Sequence, residues 1–100
     1  MKLQVVKNIQ FTRLIKADER LREFNFRKMG GLHEGIFSVD VADDRGNRLL
    51  FKMQKEENTW TIIEKGLPFW ITDSSKILHE KIEEVMNEDR NEEINHPSKG

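Results

Sequence analysis

The chain has 100 residues and a net charge of −1, with 35% charged and 36% hydrophobic residues, among them six Phe and two Trp. That length makes one domain, and burial of about 65% of the unfolded surface allows a single modest core. The absence of cysteine excludes disulfides, thiol catalysis and thiolate metal sites, and no stretch approaches a membrane span or a signal-peptide apolar run, so a cytoplasmic protein without membrane contact is expected.

Charge is unevenly distributed. Residues 1–55 carry 12 Lys/Arg against 7 Asp/Glu, and residues 56–100 carry 5 against 11. The simplest reading is that charges coat the solvated side of each element, since no basic cluster stands out.

Residues 3–17 are rich in β-branched and aromatic side chains, which points to a strand near 9–16 with Ile9, Phe11 and Ile15 on one face and Arg13 interrupting. A helix over the same residues is the alternative. Ala17-Asp18-Glu19-Arg20 reads as a turn. The next strand, 21–29, sets Phe24 and Phe26 on one face and Glu23, Asn25 and Arg27 on the other. Three glycines among residues 30–35 make a loop.

Residues 35–54 form the clearest unit, a β-hairpin. Phe37, Val39 and Val41 alternate with Ser38, Asp40 and Ala42, and Leu49, Phe51 and Met53 alternate with Arg48, Leu50, Lys52 and Gln54. The connection is Asp43-Asp44-Arg45-Gly46-Asn47, where Gly and Asn tolerate positive φ. A five-residue loop would set Asp40 opposite Leu50 and Ser38 opposite Lys52. A three-residue loop, 45–47, would set Asp44 opposite Arg48 and Asp40 opposite Lys52, and these opposite charges favour the shorter loop.

A polar turn at 55–58 leads to a strand over 59–64 with two admissible phases, Trp60 with Ile62 inward or Thr61 with Ile63. Residues 67–71 are apolar but contain Pro68, so they read as a hydrophobic linker. Thr72-Asp73-Ser74-Ser75 is a helix start signal. Ile77, Leu78, Ile82, Val85 and Met86 then recur at helical spacing, giving an amphipathic helix over 75–89. Residues 90–100 read as a disordered tail, leaving a single domain over 1–89.

The expected fold is α+β: an antiparallel meander of four to five strands with one C-terminal amphipathic helix on one face, a two-layer sandwich. The helix covers one face only. The uncovered face would carry Leu14, Ile36, Leu50 and one of Trp60 and Ile63 among polar residues, a candidate apolar patch.

No motif names a chemistry. The histidines, His33, His79 and His96, form no metal signature; His79 and Glu83 share a helix face, a pairing common by chance. Gly30-Gly31 lacks the residues of a phosphate loop. The expectation is therefore a non-catalytic domain without cofactor or metal. It would act by binding and would self-associate through the uncovered face or an edge strand. Its candidate patch is Ile36, Leu50, Trp60, Phe69 and Trp70, meeting a second copy or a protein partner. The alternative is a single-stranded nucleic-acid platform using Arg13, Lys16, Arg27, Arg48 and Lys52. The order of strands before a terminal helix resembles small single-strand-binding domains of the PUR type, and that resemblance implies base contacts on the sheet. Against it, Phe24, Phe26, Phe37 and Phe51 all face the core on this phasing.

Overall fold

The computed structural model describes residues 9–30 and 35–94, with 89–94 described by backbone alone. Five strands, β1 (Gln10–Ala17), β2 (Arg20–Lys28), β3 (Ile36–Ala42), β4 (Arg48–Glu56) and β5 (Thr59–Ile62), are followed by α1 (Phe69–Thr72) and α2 (Ser75–Ile94). The sheet order is β1-β2-β3-β4-β5, antiparallel throughout. The first segment is thus a strand, as its composition favours. His33, His96 and the remainder of the tail beyond 94 lie outside the described residues.

Alternation decides the core. Ile15, Phe24, Phe26, Phe37, Val39, Val41, Phe51 and Met53 are buried in one cluster with Trp60, Ile71, Leu78 and Ile82. Phe11 stacks on Phe26 with ring centroids 4.5 Å apart, and Phe37 meets Trp60 edge to face at 5.1 Å. Such pairs add roughly 0.5–1.5 kcal/mol beyond the area they bury. Leu78 and Ile82, four apart on α2, are fully buried with the sheet residues.

Four sequence expectations are corrected. The β3–β4 register pairs Asp40 with Leu50 and Ser38 with Lys52, two residues away from the charge-paired alternative. The reason lies in the turn. Asp43 and Asn47 close it, with the Asp43 N–H donating to Asn47 O at 2.8 Å. Asp43 Oδ1 accepts from the N–H groups of Arg45 and Asn47 at 2.9 and 2.7 Å. Gly46 takes the left-handed position, φ 87°. These local bonds outweigh facing charges, and the charges find partners elsewhere: Arg48 reaches Asp40 diagonally at 3.0 Å, and Asp44 turns to β2.

Second, α2 continues to Ile94, past the expected end at 89. Residues 75–94 contain neither Gly nor Pro, and Glu and Arg sustain a helix. Third, the expected linker contains a helical turn: Pro68 precedes α1, and Ile71 enters the core. Fourth, Arg13 lies in phase with Phe11 and Ile15, where the alternation puts it, and so cannot join Arg27 and Lys52 on the outer face as the nucleic-acid alternative requires. Its guanidinium sits 5.2 Å from the Phe11 ring centroid.

The short connections have sharp geometry. Asp18 and Glu19 both adopt positive φ, 56° and 64°. That is the two-residue turn whose twist matches the strands, adopted here without glycine.

Candidate functional site

The outer face of the sheet is tied by its own polar chain. The Thr12 hydroxyl donates to Asn25 Oδ1 at 2.7 Å, the Asn25 amide donates to Asp40 Oδ1 at 3.0 Å, and Arg48 pairs with the same oxygen. This chain crosses β1, β2, β3 and β4. The aliphatics around it are separated. Leu14 is opposite Glu23, Leu50 opposite Asp40, and Ile36 opposite Gln54. Leu14 and Leu50 are 64% and 61% exposed, but no two of these residues face each other across strands.

The candidate patch is therefore dispersed. Ile36 is half-buried, Leu50 is exposed, and Trp60 points inward at 3% exposure, which selects the Trp60–Ile62 phase and removes Trp60 from any surface cluster. Phe69 and Trp70 stand on α1. Phe69 is 76% exposed, while Trp70 is half-buried beneath the Arg22 guanidinium, 4.0 Å from its ring centroid.

The basic residues separate as well. Arg13 is on the opposite face and Arg48 is paired with Asp40. Lys16 is exposed opposite Leu21. Arg27 and Lys52 remain in one row across β2, β3 and β4, flanking Ser38. The core-facing phenylalanines leave that row without a stacking platform.

Arg22 was not expected to matter, yet it is nearly as buried as the phenylalanines. It shares the phase of Phe24 and Phe26, and that phase was the readable signal. Its Nε donates to Ala17 O at 2.9 Å, and Nη1 donates to Asp44 Oδ1 at 2.9 Å. Asp18 lies 3.9 Å from Nη2, which has no hydrogen bond among the described residues. Arg20 also reaches Asp44 Oδ1, at 2.7 Å. The β2–β3 pairing stops at Asn25, so Asp44 clasps the unpaired part of β2 to the hairpin turn. These bonds, from Arg20 and then Arg22, hold the Asp44 carboxyl below its ordinary range. Asp43 is pushed up by desolvation, but its bonds from Asn47 and Arg45 prevail and lower it.

The two sheet edges complete the candidate surfaces. Lys28 N–H donates to Ile9 O at 2.9 Å. Antiparallel alternation then directs the backbone groups of Gln10, Thr12, Leu14 and Lys16 away from β2. Among the described residues no strand pairs with this side of β1. One carbonyl there, Thr12 O, accepts from Arg13 Nη1 at 3.0 Å. At the other edge, Ile63 N–H donates to Lys52 O at 3.1 Å, so Trp60 and Ile62 direct their backbone groups away from β4.

Trp60 N–H donates to His79 Nδ1 at 3.0 Å, and the Trp60 indole N–H donates to Glu83 Oε2 at 2.9 Å. The His79/Glu83 pair of α2 thus holds Trp60. Among the described residues no group of three or more His, Cys, Asp or Glu is placed to hold a metal. Beside β5 a groove of about 450 Å³ opens, walled by Trp60, Ile62, Thr72, Ser75, Lys76 and His79. No helix of the described residues is long and apolar enough to cross a membrane.

Comparison with protein-family models, curated proteins and solved structures gives no match.

Proposed function

We propose that the protein is a non-catalytic interaction domain that self-associates by backbone pairing along β1. The observation that carries this reading is the eight-residue β1, whose outer edge pairs with no strand among the described residues. Long bare edges are templates for a further strand, and proteins that stay monomeric blunt them with bulges, proline or covering segments. The described residues supply one such device, the Arg13 bond to Thr12 O. A two-fold pairing centred on Leu14 sets this exposed side chain beside Leu14 of the partner subunit. It also matches Thr12 with Lys16 of the partner subunit, all residues whose backbone groups point outward. The dispersal of Ile36 and Leu50 supports the edge over the face.

Leu14→Pro tests this cleanly. The Leu14 N–H points away from β2, so proline there removes an edge donor without removing a bond of the sheet. Light scattering is expected to give a dimer for the native chain at low and high salt, and a monomer with unchanged circular dichroism for Leu14→Pro. Leu50→Glu is expected to leave the dimer intact. A native monomer at all concentrations, or a dimer broken by Leu50→Glu and not by Leu14→Pro, would overturn the edge reading. A rise in mass only on adding single-stranded oligonucleotide at low salt would favour the nucleic-acid alternative.

A further inference from the structure

We propose that the groove between β5 and α2 binds an extended peptide segment of a partner protein bearing an acidic side chain, with the peptide backbone pairing to β5. This site is separate from the β1 edge and does not depend on it.

Two walls with different chemistry define the groove. The β5 wall is backbone. Trp60 N–H is occupied by His79, but Trp60 C=O and both backbone groups of Ile62 point away from β4 and have no partner among the described residues. An extended chain supplies the matching groups at the matching spacing, as in strand addition to a sheet edge. The α2 wall is made of donors. Ser75 and His79 are four apart and so share a helix face. With His79 Nδ1 accepting from Trp60, the imidazole proton sits on Nε2. Lys76 has no ion-pair partner among the described residues, unlike Lys55 and Lys81, which pair with Glu83 and Glu84 at 3.6 Å.

The lining carboxylate, Glu64, lies where β5 ends, with its Oε1 accepting from Lys52 N–H at 2.7 Å. The α2 wall of the groove thus offers a cation, a hydroxyl and an imidazole N–H. That wall of donors complements a carboxylate. In a strand, alternate side chains project to opposite sides, so a carboxylate facing α2 leaves its neighbour on the outer face, beside the exposed Ile63.

The probe is a blocked peptide of alternating valine and aspartate, with its valine–lysine counterpart and two forms N-methylated on alternate residues. Binding is read by tryptophan fluorescence and by the amide shift of Ile62. The valine–aspartate peptide is expected to bind, and its lysine counterpart about tenfold or more weaker, as for loss of one charge-assisted hydrogen bond. Lys76→Glu is expected to weaken the aspartate peptide by about the same factor. Lys76 is exposed, so the fold is retained, and Lys76→Met provides a second, uncharged variant. One N-methyl phase is expected to bind and the other to fail. Equal binding of the aspartate and lysine peptides, equal binding of the two N-methylated forms, or no shift at Ile62 would overturn the proposal. Leu14→Pro protein is expected to bind the peptide as the native chain does, which separates this outcome from that of the edge dimer.

Discussion

The two edges of this sheet are finished in different ways. At β5, side chains from following segments take over part of the missing strand's role. His79 takes the Trp60 N–H, Glu64 takes the Lys52 N–H where β5 has ended, and Glu83 takes the Trp60 indole. At β1, among the described residues, the one comparable bond comes from the adjacent Arg13. The difference follows from chain order. The segment after β5 returns as a helix whose Leu78 and Ile82 are buried with the sheet, so its polar residues arrive at that edge already positioned. A sheet edge is partly covered here by where the next buried residue is anchored, not by the composition of the strand itself.

The comparison is broken most strongly through that anchor. Ile82→Ala is expected to cost about 2–5 kcal/mol, measured by urea unfolding. Its hydrogen-exchange protection should fall first in β5 and last in β2. Arg22→Ala acts at the opposite end, freeing Ala17 O and uncovering Trp70. A cost of about 2 kcal/mol is expected in the same assay, with more rapid exchange in β1 and little change at Trp60. His79→Ala isolates the edge bond itself. It should destabilise by about 1 kcal/mol and accelerate exchange of the Trp60 amide, while the β1 amides stay as they are.

The smallest effect is acid sensitivity of the hairpin turn. Asp43 and Asp44 have folded values below their unfolded ones. Their contribution is therefore complete above about pH 4 and is lost as the pH falls through the folded values. Asp44→Asn should flatten the acid limb of a stability–pH curve and leave the neutral plateau slightly lower.

Much of this architecture was legible. The alternation of Phe37, Val39 and Val41 and the spacing of Leu78 and Ile82 report burial directly, because a buried face leaves a period in the sequence. Arg22 carries no signal in its residue type, which suggests a solvated side chain; only its phase betrays its burial. It lies in step with phenylalanines, and its guanidinium enters the interior flat against Trp70. The hairpin register was missed for another reason. Facing charges were weighed, whereas the Asp43 carboxylate and Gly46 set the turn through local bonds. The groove beside β5 has no linear signature. It depends on which backbone groups of Trp60 and Ile62 face outward and on where α2 returns, both consequences of three-dimensional pairing.

The neighbour-to-neighbour order of the strands also bears on how the chain assembles. Every strand pairing joins consecutive segments, so each hairpin can close on its own and loop closure stays inexpensive. A growing sheet of this kind always presents a fresh adhesive margin at its leading strand. In chain order that margin moves from β2 to β5 and is partly covered when α2 comes down. Until then, two half-assembled chains can join at their leading margins. Docking of α2 therefore narrows the exposure of the last strand as well as adding to the core.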